Sequence, residues 1–328
     1  MRTLHVRSDP RETIIRGHVL IAIISLLLGL FILVKAGDVF VDGAVSLAKS
    51  LKMSSVVVGA IVLGFGTSAP ELVVSTIAAS QGNPSLGVGN IVGSNVANLS
   101  LVLGVAALVT PIALSSSVIR RQAPLSIAAV FIFALTVADG ELTRRDGMIL
   151  LILLAVAMVI LIKTPPEAEA AQSESETGQS LARSFFFSLL GLGGVVAGAQ
   201  LAVSGATSLA DEWGLSGGFV GFSIVALGTS LPELVTAVAA ARKKEAGLIV
   251  GNLFGSNLFN GLAGGAAIGL VNAGPIGDAK LTGGGLLAML GAVVVAYFQG
   301  ARKRRVGKID ALLLLAIYLA AMLWLGVT

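Results

Sequence analysis

Long apolar runs alternate with short polar connections along the whole chain. A membrane-spanning α-helix needs about 20 mainly apolar residues, and ten runs meet this requirement. Strands of a membrane barrel would be shorter and would alternate apolar with polar side chains, which these runs do not. We therefore predict an all-α integral membrane protein with ten transmembrane helices. The predicted spans are residues 19–48, 55–80, 86–110, 117–138, 143–162, 182–210, 216–241, 246–270, 281–299 and 308–327.

Two polar segments interrupt the apolar runs, and each has a near copy in the other half of the chain. Residues 66–71 read GTSAPE and residues 228–233 read GTSLPE, while residues 89–95 read GNIVGSN and residues 251–257 read GNLFGSN. One offset of 162 residues aligns both pairs without a gap, and 17 of the 33 positions from 66 to 98 are identical at that offset. A duplicated, proline-broken segment inside a hydrophobic chain indicates the substrate site of a transporter.

The repeat defines the expected organisation of the whole chain. Ten spans divide into five and five, and an odd number of spans per half turns the second half upside down relative to the first. We predict two inverted five-helix repeats with broken helices at the central site. The predicted parts are an N-terminal polar tail at 1–18, a first repeat at 19–163, an acidic linker at 164–181 and a second repeat at 182–328.

The distribution of lysine and arginine predicts the orientation in the membrane, since cytoplasmic connections carry an excess of these residues. Fourteen lie at connections after odd-numbered spans and three at connections after even-numbered spans. This places the linker in the cytoplasm and both termini outside a plasma (inner) membrane. Four N-terminal arginines run against the rule, because they fall on the outer side. These are Arg2, Arg7, Arg11 and Arg16.

Composition excludes several kinds of function. Only 12% of residues are charged and the mean hydropathy is +0.93, whereas soluble domains have about 25% charged residues. The chain has no cysteine, and its two histidines, His5 and His18, lie in the N-terminal tail. A thiolate or imidazole metal site within the membrane is therefore excluded, and no aromatic-basic groove for nucleic acid is present. We expect neither an enzyme nor a prosthetic group.

Glu71 and Glu233 carry the strongest functional signal. A carboxylate near the bilayer centre costs several kcal/mol unless it faces a cavity or a partner, and no lysine or arginine lies in the flanking helical segments. A protonated glutamate in an interhelical hydrogen bond would explain one such residue, but two at equivalent places favour a bound cation. Pro70 and Pro232, just before them, remove a backbone N–H and break the helix.

The remaining polar side chains of the motifs supply only oxygen ligands. Ca²⁺ takes six to eight oxygen ligands, Na⁺ is also a hard cation, and the absence of imidazole and thiolate disfavours Zn²⁺. Two carboxylates neutralise one divalent or two monovalent ions, which makes mutually exclusive binding natural and predicts an antiporter. Repeated glycines at positions 89, 93, 251 and 255 are expected to let the helices that carry these ligands approach closely.

These paired motifs resemble the signature of the cation/Ca²⁺ exchanger superfamily, in particular the prokaryotic Na⁺/Ca²⁺ exchangers. The resemblance covers essentially the full chain. It implies a secondary active antiporter that exchanges Na⁺ for Ca²⁺ by alternating access, functions as a monomer in the lipid bilayer and binds ions between the repeats. It also implies backbone carbonyl ligands near Gly64 and Ala226. The implied side-chain ligands are Thr67, Ser68, Glu71, Ser94 and Asn98 with Thr229, Ser230, Glu233, Ser256 and Asn260.

One departure from the resembled family bears on the charge of the site. Many members have aspartate where this chain has Asn260, so that Asn98 and Asn260 are alike here and the site carries two negative charges. A different Na⁺:Ca²⁺ ratio or affinity is expected, and dependence on K⁺ is disfavoured.

Other functions remain open at this point. A H⁺/Ca²⁺ antiporter would use the same fold, although its branch of the family carries a different, glutamate-containing second motif. A passive cation channel usually builds its filter by oligomerisation, and a hydrolase would need a base beside Ser68 or Ser230. Lys35, Asp38 and Asp42 in the first span face Gln200 and Ser204 at the equivalent places of the sixth. They are interpreted mainly as an interfacial charge cluster with an i,i+3 pair, and the alternative is that they tune the sliding helices or the ion entry path.

Overall fold

The computed structural model describes residues 10–51, 53–163, 180–212, 226–277 and 281–327. These residues are mostly helical, and short strands lie at some helix connections. The helices are α1 (Pro10–Leu51), α2 (Ser55–Thr67), α3 (Ala69–Ser80), α4 (Pro84–Val109), α5 (Val118–Val137), α6 (Arg144–Ile162), α7 (Leu181–Glu212), α8 (Ala226–Thr229), α9 (Leu231–Arg242), α10 (246–271), α11 (Leu281–Lys303) and α12 (Lys308–Val327).

The membrane-spanning character of the chain is evident in the described helices. Within the described ranges, six helices are long and apolar enough to cross a membrane: α1, α4, α5, α6, α7 and α11. The pair α2 and α3 would be a seventh span, bent by 42°. These agree with the first six predicted spans and the ninth. The predicted span at 216–241 begins outside the described residues, and almost all of the linker at 164–181 lies there too. The count of ten spans stays a prediction.

Local sequence signals determine where several helices begin. The Asn83 side chain accepts a hydrogen bond from the Leu86 backbone N–H at 3.1 Å, and Pro84 follows in the first helical turn of α4. Thr143 and Asp146 form a reciprocal capping box at the start of α6. Such caps satisfy backbone N–H groups that have no partner within the helix.

The helices α2, α4 and α10 each contain a π-helical turn, at Gly59–Gly64, Asn98–Val102 and Asn260–Gly264. A π turn inserts one residue into the helical ladder and is frequent at functional sites. Two further π turns, Val118–Gln122 and Leu281–Gly285, begin α5 and α11. The turns that begin at Asn98 and Asn260 are 162 residues apart. The same backbone irregularity thus marks equivalent places in the two repeated motifs.

The helices α1 and α7 pack closely through glycines. A glycine contact of α1 on α7 recurs as the equivalent glycine contact of α7 on α1. A Cβ atom on Gly29 would lie 2.4 Å from the Ala202 backbone nitrogen, and one on Gly191 would lie 2.5 Å from the Phe40 backbone nitrogen. Gly191 is 162 residues after Gly29, and Ala202 is 162 residues after Phe40. The contact therefore has a pseudo-twofold character.

The glycine stripe of the second half lets α10 approach α2, as predicted. A Cβ atom on Gly251 would lie 2.2 Å from the Val56 carbonyl oxygen, and one on Gly255 would lie 2.6 Å from Ala60 Cα. This close packing places the GNLFGSN motif of the second half directly against α2, the helix that precedes Glu71.

In the first-half stripe, a Cβ atom on Gly93 would have no neighbour within 4 Å among the described residues, and one on Gly89 would come no closer than 3.8 Å, to Leu281. The close approach predicted there is therefore not seen within the described part of the chain.

Two antiparallel strand pairs join connections of the first half to connections of the second. Strand β1 (Ile112–Ala113) pairs with β4 (Arg305–Val306), and β2 (Glu141–Leu142) pairs with β3 (Gly274–Pro275). They pair the backbone groups of the connections between helices, which the helices cannot satisfy.

Candidate functional site

The GTSAPE and GTSLPE motifs each break a helix, and they do so at equivalent serines. Ser68 separates α2 from α3 with φ −83° and ψ 0°, and Ser230 separates α8 from α9 with φ −91° and ψ 3°. Pro70 and Pro232 then lie in the first turn of the following helix, where a missing backbone N–H costs nothing. The predicted break at each motif is therefore present in the structure.

The two glutamates that follow these breaks are fully buried. Glu71 is 1% exposed and Glu233 is 0% exposed. Each lies in the first turn of its helix, α3 or α9, where the positive end of the helix dipole favours a negative charge. Ser68 lines one cavity together with Glu71 and donates to Glu233 Oε1 at 3.2 Å, so both carboxyl groups adjoin the same serine. The fold thus brings together two carboxyl groups that are 162 residues apart in the sequence.

Hydroxyl groups from the opposite half reach each carboxyl group. The Ser68 hydroxyl donates to Glu233 Oε1 at 3.2 Å, and the Thr229 side chain lies near the Glu71 carboxyl group. Ser94 Oγ lies 3.5 Å from Glu71 Oε1. Because the Ser68 hydrogen bond crosses from one motif to the other, the site is a single shared centre.

The second motif of the chain's second half adjoins the same centre. The Ser256 hydroxyl donates to the Gly64 carbonyl oxygen at 3.2 Å, next to the motif that carries Glu71. Asn260 lines a cavity of about 10 Å³ together with Ser68 and Glu71. A space of this size holds about one water molecule. The predicted carbonyl ligand at Gly64 is therefore close to a predicted hydroxyl ligand.

Several buried oxygen atoms at this centre have no hydrogen-bond partner within the described part of the chain. They are Glu71 Oε2, Glu233 Oε2, Asn98 Oδ1 and Ser230 Oγ. An unpartnered buried polar atom costs about 1–3 kcal/mol, so native proteins rarely leave several in one place. A hard cation takes oxygen ligands of this type.

The ten predicted ligands lie on elements that meet at this centre. Nine are buried and Thr229 is half-buried. Within the described residues no group of three or more His, Cys, Asp and Glu side chains is close enough to hold a metal. Glu71 and Glu233 are thus the acidic side chains of this centre in the described part of the chain, and the ligand set stays a prediction.

Two asparagines that support the motifs were not assigned a role from the sequence. Asn90 Nδ2 donates to the Glu71 backbone carbonyl at 3.1 Å and to Ser75 Oγ at 3.0 Å. Asn252 Oδ1 lies 3.2 Å from the Thr67 hydroxyl. Both asparagines belong to the repeated Gly-Asn pairs, so identity at the 162-residue offset was the signal that could have revealed them.

The charged cluster of the first span makes different contacts from those predicted. Lys243 Nζ, at the end of α9, donates to Asp42 Oδ1 at 2.5 Å and to the Asp38 carbonyl oxygen at 2.9 Å. Arg242 lies 3.9 Å from the Asp38 carboxylate. The two aspartates therefore pair with the end of α9 and not with Gln200 and Ser204, because α9 packs against α1 and brings two basic side chains to it.

In a mostly helical membrane protein, two buried carboxyl groups among hydroxyl and amide oxygens are typical of a protein that transports cations. The chain belongs to the sodium/calcium exchanger protein family, whose model matches residues 21–163 and 183–327. The gap between the two matched parts coincides with the predicted linker, so each half matches the family separately.

Relatives of known name extend the similarity over most of the chain. CaxA of Alkalimonas amylolytica is 36% identical over 92% of this chain and 97% of its own length. The sodium/calcium exchanger MaX1 of Methanosarcina acetivorans is 30% identical over 72% of this chain and 79% of its own length. A solved structure of the sodium-calcium exchanger NCX_Mj, soaked with Na⁺ and Sr²⁺, superposes with a TM-score of 0.82 at 30% identity, covering 93% of this chain and 98% of that one.

Proposed function

We propose that this protein is a secondary active antiporter that exchanges Na⁺ for Ca²⁺ by alternating access, with the ions bound between its two halves. The observation that carries the proposal is the pair of buried glutamates, Glu71 and Glu233, each with one oxygen that has no hydrogen-bond partner among the described residues. The names of MaX1 and NCX_Mj support this choice of ions.

The chemistry of the centre explains why two kinds of cation would compete for it. Two carboxylates balance the charge of one Ca²⁺ or of two Na⁺, and binding both sets at once would leave an uncompensated buried charge, which is costly. An exchanger needs this mutual exclusion. The ions are transported substrates, and we propose no resident cofactor and no enzymatic reaction.

We propose that the ten residues predicted from the motifs bind the ions, together with the backbone carbonyls near Gly64 and Ala226. The unpartnered oxygens of Glu71, Glu233, Asn98 and Ser230 support this set. Thr67 and Ser256 donate their hydroxyl protons to backbone carbonyls within α2. The lone pairs of the two hydroxyl oxygens are then available to a bound cation.

We further propose an architecture of ten spans in two inverted repeats, 19–163 and 182–328, after a polar tail at 1–18. The exchanged contacts of α1 and α7 and the equal π turns at Asn98 and Asn260 support it. We propose that the protein acts as a monomer in the inner membrane, with both termini outside and the linker at 164–181 in the cytoplasm.

The direct test is ⁴⁵Ca²⁺ uptake into proteoliposomes that hold the purified protein. Vesicles loaded with Na⁺ are expected to take up Ca²⁺ on dilution into Na⁺-free buffer, whereas vesicles loaded with K⁺ are not. Uptake driven only by a pH gradient would assign H⁺ as the coupling ion. Uptake that follows the Ca²⁺ gradient alone would indicate a channel.

The charge of the site is expected to determine the coupling ratio. The Asn260→Asp variant places a third carboxyl group beside the cavity lined by Asn260 and Glu71, so more positive charge is needed to neutralise the site. We expect a changed reversal potential, measured with known Na⁺ and Ca²⁺ gradients, and tighter Ca²⁺ binding. An unchanged reversal potential would contradict the charge-count argument. Asn83→Asp, on an exposed residue that caps α4, is the matched control.

A further inference from the structure

Asn98 and Asn260 are equivalent in sequence, but their side chains have different surroundings. Asn98 Nδ2 donates to Asn257 Oδ1 at 3.0 Å, and Asn257 Nδ2 donates to the Asn95 backbone carbonyl at 3.1 Å. The Asn98 and Asn257 amides are fully buried, at 0% exposure each. They form a short chain of hydrogen bonds between α4 and α10.

The direction of this chain follows from chemistry. A backbone carbonyl can only accept, so the Asn257 amide must turn its nitrogen toward Asn95 and its oxygen toward Asn98. That oxygen can also only accept, so Asn98 must turn its nitrogen toward Asn257. The Asn98 oxygen then faces away from Asn257 and is buried without a partner among the described residues. A cation ligand needs this orientation, because the amide nitrogen repels a cation.

We propose that Asn257 is a positioning residue for ion binding, which holds the Asn98 amide with its oxygen free for the cation. The proposal rests on the proposed function, in which Asn98 is a ligand. Asn257 acts through Asn98 and needs no contact with the ion. The hydrogen-bonding partners of a ligand typically change metal affinity by about 10–100-fold.

The first half does not repeat the arrangement. Asn95 is the counterpart of Asn257 at the 162-residue offset, but its amide nitrogen lies 3.5 Å from Met289 Sδ, a weak acceptor. Asn260 Nδ2 is buried without a hydrogen-bond partner in the described ranges. The central amides of the two halves are thus held differently: Asn98 donates to an asparagine of the other half, and the Asn260 amide nitrogen has no such partner among the described residues.

Equilibrium binding of ⁴⁵Ca²⁺ to purified protein in Na⁺-free detergent solution tests the proposal by a double-mutant cycle. The variants are Asn98→Ala, Asn257→Ala and the double variant, with Asn95→Ala as the matched control. We expect Asn257→Ala to weaken Ca²⁺ binding by about 10-fold and Asn95→Ala to weaken it less. The double variant is expected to bind as Asn98→Ala does, because Asn257 has nothing left to orient.

A second background separates positioning from a purely structural role. Asn98→Asp carries two acceptor oxygens and no nitrogen, so the Asn257 oxygen would then face another oxygen. In that background, removing Asn257 with alanine is expected to leave Ca²⁺ binding equal or tighter, whereas loss of structure would weaken it in both backgrounds. Asn257→Ser replaces the alanine variant if alanine does not give folded protein, with the same direction expected.

The outcomes distinguish this inference from the function on which it rests. Additive losses in the double variant, or an equal loss in Asn95→Ala, would overturn the positioning role and leave the exchanger intact. Wild-type binding by Asn98→Ala would remove Asn98 from the ligand set, and the inference with it.

Discussion

Replacing either Glu71 or Glu233 with glutamine is expected to abolish Na⁺-driven Ca²⁺ uptake. Glutamine keeps the size and one carbonyl oxygen but removes the charge, so the buried centre no longer balances a divalent cation. Removing one carboxylate from a buried carboxylate–cation pair costs about 2–5 kcal/mol. This predicts that the rate of Ca²⁺ uptake falls by at least about 30-fold in each variant. Initial rates of ⁴⁵Ca²⁺ uptake into Na⁺-loaded proteoliposomes measure it.

The stability of the same variants identifies the cause of the loss. Both carboxyl groups are buried near each other and lack a basic partner among the described residues, so removing one is expected to leave the melting temperature unchanged or raised. Glu141→Gln makes the same chemical change at an exposed residue, and uptake close to wild type is expected. A variant at Glu71 or Glu233 that transports normally would show that its carboxylate does not bind the ion.

Replacing Gly251 with alanine is expected to destabilise the protein by about 3 kcal/mol. The new Cβ atom would lie 2.2 Å from the Val56 carbonyl oxygen and 2.9 Å from the Ala60 backbone nitrogen. Backbone atoms in packed helices have little room to move, so α2 and α10 must separate. Because both helices carry residues of the central site, Ca²⁺ binding is expected to weaken as well.

Thermal unfolding in detergent measures this effect, and Gly291→Ala is the control. Gly291 is exposed on α11, and a Cβ atom added there would have no neighbour within 4 Å among the described residues beyond its own stretch of helix. At Gly291 the substitution only removes the backbone flexibility of glycine, and this change stabilises the helix by up to about 1 kcal/mol. If the melting temperature of Gly251→Ala is as high as that of Gly291→Ala, the close contact between α2 and α10 does not limit stability.

The motif chemistry was predictable because it depends on residue type and short spacing. Proline and glycine dictate where the backbone departs from a helix, so Pro70 and Pro232 predicted the breaks that the structure has at Ser68 and Ser230. The 162-residue offset also indicated that Glu71 and Glu233 belong to one centre. These inferences required no knowledge of which helices touch.

The contacts of the charged cluster were not predictable in the same way. Asp42 and Lys243 are 201 residues apart, and their pairing depends on how α1 crosses the end of α9. Sequence spacing suggested a partner on α1 itself or on the equivalent helix of the other half. An ion pair between elements distant in sequence requires coordinates, since many opposite charges satisfy the same local rule.

The sequence by itself determined the class of the protein, the duplicated motif and its two buried carboxyl groups, because each follows from composition and local spacing. Only the tertiary structure decided which hydroxyl serves which carboxyl group and how each amide is turned. Asn98 and Asn260 are identical in type and equivalent in position, yet within the described part of the chain only Asn98 is held by an asparagine from the other motif. An amide is oriented by the donors and acceptors around it, and those come from residues far away in the chain.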